Sequence, residues 1–272
     1  MAVDDRDHDG KRFQSSPTGP WVTPPARAPT HPPQLPRPVG PSLVARRRPI
    51  WSVAIFVLLL AGYGIRAYRD LSRPDAWAYW KDQYFSPSLS ASLIPNVDID
   101  GSGHGRAALA IHGVIGAAGG SWLRAQIDDA HLPPGDTILL SSPGGDLGQA
   151  IIMGEIIRAH GLATAVGTSD TSGKVRPAYC ASACVLVYAG GRPRYGVEGS
   201  QLGVHRFVTT TPVSDPVADT QRVAGQVLGY MTKMGVSSTV VEEMSQTRDV
   251  RWLDPKAALA MNLITDPVSA RN

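Results

Sequence analysis

A serine, a histidine and an aspartate follow one another along this chain in an order suited to acyl-transfer chemistry, and a glycine pair precedes them. Ser182 lies in Tyr179-Cys-Ala-Ser-Ala-Cys-Val-Leu-Val-Tyr-Ala-Gly-Gly191, and His205 follows 23 residues later in Gly203-Val-His-Arg-Phe207. Asp249 ends Thr247-Arg-Asp249 and is followed by Trp252-Leu-Asp-Pro-Lys-Ala-Ala258. A serine hydroxyl is a weak nucleophile until a histidine takes its proton, and a carboxylate can fix the histidine tautomer. Ser142-Pro143-Gly144-Gly145 adds a turn whose backbone N–H groups could face a developing oxyanion. Each piece also has a plainer reading. Ser182 reads equally well as a helix cap. His205, close to Val204 and Phe207, reads as a core histidine, Asp249 as a surface carboxylate, and the glycine pair as ordinary turn chemistry.

The elements that would position these residues alternate apolar runs with helical patterns from Arg106 to about Thr265, as in an α/β domain. Ala107–Ile115 reads as a buried strand, Ser121–Ala130 as a helix and Asp136–Ser141 as a second strand. Asp146 is placed to cap a helix running to His160, with Gly161 as its stop signal, and Ala163–Gly167 suits a third strand. An apolar helical run follows Ser182, which would put the serine at a helix start with the Ala183 N–H facing the same space. The segment Asp215–Met234 also reads as helical.

Taken together, the ordered motifs resemble the Clp protease proteolytic subunit within the wider Clp/crotonase superfamily. They do so over roughly residues 106–265. The resemblance rests on the Ser-Pro-Gly-Gly turn, the Ala-Ser-containing helix start, the histidine at its distance, and Asp249 standing six residues before Pro255. It implies a spiral of ββα units. It implies Ser182 as nucleophile, His205 as base and Asp249 as orienting acid, with Gly144 or Gly145 and Ala183 as oxyanion-hole donors. It further implies a peptide or protein substrate, no cofactor, and self-association through the Asp215–Met234 helix as a protruding handle.

Two features depart from that pattern. Cys180 and Cys184 bracket the serine, where a disulfide is one reading and a buried apolar Cys184 beside a pocket-lining Cys180 is the other. The second departure is an apolar segment, Pro49–Ile65, flanked by Arg46-Arg47-Arg48 and Arg66. As a helix it would span about 26 Å, against a hydrocarbon core of about 30 Å. Trp51, Tyr63 and Tyr68 sit where interfacial aromatics belong, so a single membrane span or signal anchor is expected. The arginine cluster favours an inside N-terminus and an extracytoplasmic C-terminal domain. The domain plan is then a proline-rich disordered tail over 1–45, the span over 49–65, a juxtamembrane linker over 66–105, and the catalytic-type domain over 106–272. Ten of the 23 prolines lie between Pro17 and Pro41, too few apolar residues accompanying them to support a core.

Composition narrows the function classes. Net charge is +3 and the positive charge gathers near the apolar segment, without a basic stripe, so no nucleic-acid partner is expected. Two cysteines four residues apart, without companion ligands, do not read as a zinc site. Asp98 and Asp100 lack a completed ligand shell, and no metal is expected. His112, in an apolar strand, reads as a core residue, while His104 and His160 fall in loops. Membrane-bound signal-peptide peptidases of the superfamily use a serine–lysine pair. Lys174 precedes Ser182, but His205 and Asp249 make the triad the preferred reading. A tethered, outward-facing domain would have no ATPase ring to feed it, which shifts the expected substrate to small peptides or membrane-protein loops. Two other classes stand beside the hydrolase: a catalytically silent Clp-like scaffold or binding protein, and a crotonase-like acyl-CoA enzyme.

Overall fold

Parallel strands are covered on both faces and therefore apolar throughout, and the central strands of this chain have that character. The computed structural model describes residues 50–99, 103–169, 174–207 and 214–268. The proline-rich tail over 1–45 and Asp100 lie outside the described residues. In chain order the elements begin with α1 (Ile50–Leu71), α2 (Pro74–Trp80), which passes into a π-helical turn over Lys81–Phe85, β1 (Leu89–Val97) and β2 (Arg106–Gly113). They continue with α3 (Gly119–Ala130), β3 (Thr137–Ser141), α4 (Leu147–Ala159), β4 (Ala163–Val166), and the short hairpin β5 (Thr168–Ser169) and β6 (Val175–Arg176). Next are β7 (Tyr179–Ala181), α5 (Cys184–Ala189), β8 (Arg194–Val197), β9 (Gln201–Val204) and α6 (Pro216–Lys233). The last are α7 (Thr239–Gln246), β10 (Arg251–Trp252), α8 (Pro255–Ala260) and β11 (Asp266–Val268).

The architecture is mixed α/β, as expected. A six-stranded sheet has the order β1-β2-β3-β4-β8-β11, and a three-stranded sheet the order β10-β9-β7. From β2 to β11 the neighbours in the larger sheet are parallel, so each step returns through a helix or through the smaller sheet. The first four residues of β3 and all of β4 are buried. A bridge between Ser142 and Cys180 carries the pairing from the end of β3 into β7. The larger sheet thereby leads into the smaller one at the Ser-Pro-Gly-Gly turn.

Helix boundaries follow the capping chemistry. Asp146 accepts a hydrogen bond from the Gln149 N–H at 2.8 Å, and Asp215 accepts from Val217 and Ala218. Gly161 takes φ +65° past the end of α4. α5 is apolar on every side, and all six of its residues are buried. Its C-terminal carbonyls receive a half-buried cation: Arg158 donates to the carbonyls of Ala189, Gly190 and Gly191 at 2.8–3.1 Å. Arg194, 3% exposed, donates to the carbonyls of Leu263, Gly191, Met234 and Asn262. Burial pushes both guanidinium pKa values below their usual range; the Arg192 charge adds to this at Arg158, and the Arg158 and Arg192 charges add to it at Arg194. Carbonyl oxygens at a helix C-terminus carry partial negative charge, which makes them suitable partners for a cation buried without a carboxylate.

Three expectations shift here. The 66–105 linker contains β1, which pairs antiparallel with β2 from Leu89↔Gly113 to Val97↔Arg106, so the α/β body begins before residue 106. The apolar helix is also longer than its apolar core: α1 continues to Leu71, through Arg66, Arg69 and Asp70. His112 is exposed rather than in the core: it lies near the end of β2, between Ser90 of β1 and Ser141 of β3, and its Nε2 is 2.8 Å from the Ser90 hydroxyl. Asp98 accepts from the Gly103 N–H, and among the described residues no cluster suited to a metal is present.

Replacing Arg194 with Ala would take this donor from the Leu263 and Asn262 carbonyls and leave those of Gly191 and Met234 with Arg158 alone. Each such group costs about 1–3 kcal/mol, so a loss of about 3 kcal/mol is expected in denaturant titrations of the detergent-solubilised protein. An unchanged midpoint would show that the carbonyls find other donors.

Candidate active site

Two backbone turns meet at the site. Gly144 has φ +100°, and a Cβ there would stand 2.8 Å from the Ser182 Cβ and 2.9 Å from the Ala183 nitrogen. Only glycine permits so close an approach. Gly145, φ +146°, packs against the Ile115 backbone, with which it forms a bridge that extends the β2–β3 pairing. The Ile115 N–H donates to the Gly144 carbonyl, and the Asp146 N–H to the Ile115 carbonyl, each at 2.8 Å. The turn is thus fixed from both sides.

Ser182 occupies the junction between β7 and α5 with φ +58°, a left-handed conformation that is unusual for serine. Its N–H donates to the Gly203 carbonyl at 2.8 Å, and the Val185 N–H donates to its carbonyl at 3.0 Å. β7 runs parallel to β9 with Ala181 opposite Gly203, which sets the Ser182 turn beside the strand that ends one residue before His205. Cys180, in β7, and Cys184, the first residue of α5, are joined by a disulfide and both are fully buried. The bond ties the strand to the helix across Ser182.

Ser182, Ala183, Gly145 and His205 line one cavity of about 560 Å³, together with apolar Leu186, Val204, Phe207, Val223 and Met244. Asp219 and Arg222 of α6 form an ion pair at 2.6 Å on its wall. Lys174 is not among the lining residues. A separate, more apolar cavity of about 240 Å³, walled by Tyr188, Tyr195, Leu202 and Leu253, has no serine–histidine pair.

Two backbone N–H groups at the cavity, those of Gly145 and Ala183, have no hydrogen-bond acceptor among the described residues. The Gly144 N–H is occupied instead by the Ser142 hydroxyl at 3.1 Å. His205 Nδ1 lies 2.7 Å from the carbonyl oxygen of Arg206. With the proton on Nδ1, the ring donates to that carbonyl and Nε2 keeps its lone pair.

Asp249 is exposed, and its carboxylate makes no hydrogen bond to His205. Its loop is nonetheless adjacent. β10 pairs antiparallel with β9, Arg251 opposite Val204, and the Arg206 N–H donates to the Thr247 carbonyl at 2.8 Å. The Thr247 hydroxyl donates to the Asp249 carbonyl. The structure therefore brings Ser182, His205, Gly145 and Ala183 to one cavity, with Gly144 directly behind them and Asp249 on the neighbouring loop. The Arg206 carbonyl as the histidine's partner was not readable from residue types, since every residue carries a carbonyl.

Among solved structures, this chain is similar to a mutant of ClpP1 from Listeria monocytogenes, at 14% identity and a TM-score of 0.47, over 60% of this chain and 92% of that one. It is also similar to a mutant of the membrane-bound stomatin-specific protease 1510-N, at 19% identity and a TM-score of 0.46, over 61% of this chain and 78% of that one. ClpP1 from Listeria monocytogenes itself matches at 13% identity and a TM-score of 0.44, over 56% of this chain and 85% of that one. No protein-family profile and no curated protein matches the chain.

The disulfide makes a direct prediction. Unreduced, denatured protein treated with iodoacetamide should gain no carbamidomethyl groups, and reduced protein should gain two, one for each cysteine of the chain. Intact mass reads the difference, and two groups added without reduction would contradict the pairing.

Proposed function

We propose that this chain is a membrane-anchored serine hydrolase that cleaves peptide bonds. The observation that carries the reading is the left-handed φ of Ser182 at a strand-to-helix turn, on the same cavity as His205 and two unengaged N–H groups. Strained serine turns of this kind expose the hydroxyl and put the following N–H beside it.

In the proposed reaction His205 Nε2 takes the Ser182 hydroxyl proton while Oγ attacks the substrate carbonyl carbon. The carbonyl oxygen becomes an oxyanion held by the N–H groups of Gly145 and Ala183, each donor worth about 10²–10³ in rate. Collapse breaks the C–N bond, the leaving amine takes the proton from His205, and water then releases the acyl group by the same route. The Arg206 carbonyl holds the ring in its orientation. Asp249 supplies negative charge near the imidazolium as it forms. The apolar wall of Leu186, Val204, Phe207, Val223 and Met244 favours substrates with an apolar side chain on the acyl side.

α1 provides the anchor, being long and apolar enough to cross a membrane and unburied by the rest of the chain. The Arg46–Arg48 cluster supports a cytoplasmic N-terminus, and the Cys180–Cys184 disulfide supports an oxidising compartment for the C-terminal domain. Substrates would then be peptides or loops of membrane proteins outside the cytoplasm. α6, with Val217 and Leu228 exposed, is the proposed surface for self-association.

A fluorophosphonate probe tests the reading. Labelling is expected on the parent protein and abolished by Ser182→Ala, with His205→Ala reducing the rate at least about 10²-fold. Because a backbone carbonyl already orients His205, Asp249→Asn should cost only about ten-fold, far less than the about 10⁴-fold loss where the aspartate sets the tautomer. A folded protein that takes no label would favour the scaffold reading, to which the exposed Asp249 carboxylate already lends support.

A further inference from the structure

The segment after α1 is a short helix with two unlike faces. Tyr79, Asp82 and Gln83 turn toward the α/β body. Asp82 accepts from the Ala118 N–H at 2.9 Å, ahead of α3, and from the Ser88 N–H and hydroxyl at 2.9 and 2.6 Å. The Tyr79 hydroxyl donates to Ser121, whose own hydroxyl donates to Gln83 at 2.7 Å. Burial acts to raise the Asp82 pKa, but these hydrogen bonds outweigh it and hold the carboxyl below its usual range. The segment is therefore attached to the body as an ionised carboxylate at any pH above the ordinary aspartate range.

The other face is aromatic and unpartnered. Trp77, Trp80, Tyr84 and Phe85 are 65%, 42%, 64% and 74% exposed. The Trp80 and Tyr84 rings stack with centroids 5.2 Å apart, and Trp77 lies 6.3 Å from Phe85. Four large rings on one side of so short a helix are costly in water. Arg73 and Lys81 flank them, both exposed.

We propose that Pro74–Phe85 lies along the surface of a lipid bilayer, its aromatic face at headgroup level and its opposite face carrying the α/β body. The proposal rests on the reading of α1 as a membrane span. Only Ser72 and Arg73 separate α1 from α2. The 22 residues of α1 span about 33 Å against a hydrocarbon core of about 30 Å, so its C-terminal end reaches headgroup level, and Ser72 and Arg73 add at most about 7 Å. Tryptophan and tyrosine favour that depth because an apolar ring and a polar N–H or O–H are satisfied together. Arg73 and Lys81 would meet anionic lipid phosphates. A second copy of the chain is the competing occupant, but it would have to cover a face that the membrane already adjoins.

The full chain in phosphatidylcholine–phosphatidylglycerol vesicles tests this. The disulfide leaves no free thiol among the described residues, so Trp77→Cys and Tyr84→Cys can each carry one nitrobenzoxadiazole probe. Ser245→Cys, exposed on α7, serves as the control. Lipids bearing a shallow nitroxide should dim the probes at 77 and 84 by about two-fold, the depth at which interfacial aromatics reside, and leave 245 unchanged. Aqueous iodide should act in the reverse order. Probes at 77 and 84 reached by iodide but not by nitroxide lipid would overturn the proposal, and so would probes reached by neither, which would indicate protein cover. Alkaline carbonate separates this from failure of the span: protein released from the vesicles refutes the span and the proposal together. Protein retained with iodide-accessible probes refutes the proposal alone.

Discussion

The site depends on the missing side chain of Gly144. The Ser-Pro-Gly-Gly turn and the Ser182–Ala183 turn approach until a single Cβ at 144 would collide with Ser182 Cβ, Ala183 N and the Ala181 carbonyl. That closeness is what sets the Gly145 and Ala183 N–H groups on one cavity. Neither turn holds the position alone. The first is fixed by Ile115, and the second by the Gly203 carbonyl and by the disulfide beneath it. The left-handed serine, which costs about 1–2 kcal/mol for an L-residue, is tolerated because bonds on both sides leave it no other conformation.

Behind the turn, the burial of α5 transmits the same constraint. A helix of six apolar residues has no polar face with which to resist rotation, so its ends must be held by specific contacts. Its N-terminal end is held by Cys184. Its C-terminal carbonyls are held by Arg158, and the loop after them by Arg194. The Tyr230 hydroxyl donates to the Leu186 carbonyl at 2.7 Å and joins α6 to the middle of the helix. The Asp82 contacts join the segment after α2 to the start of α3. Hydrogen-bonded contacts thus join the segment after the apolar helix to α3, and α6 to α5 beside Ser182.

Much of the fold was legible because each signal was local. Apolar strands, the Asp146 and Asp215 caps and the Gly161 stop lie where residue type alone places them. β1 was not legible: Leu89–Val97 alternates poorly, with only its first, sixth and last residues buried, and contains a proline. Its strand character comes from pairing with β2. His112 failed for a related reason, since burial at a strand end depends on what covers it. At the site, Ser182, His205 and the glycine pair could be named from their order. The partner of His205 could not, because it is a main-chain carbonyl. The choice between the Gly144 and Gly145 N–H groups depended on the Ser142 hydroxyl, which occupies one of them.

The central claim is that Ser182 is a poised nucleophile, and the acylation step itself tests it most directly. Mixing the protein in detergent with a p-nitrophenyl ester of an apolar acyl group should release a rapid burst of nitrophenol approaching one equivalent per chain. Slower turnover should follow, with the acyl mass found on the peptide carrying Ser182. A linear release with no burst, or an adduct found elsewhere and retained in Ser182→Ala, would contradict the account.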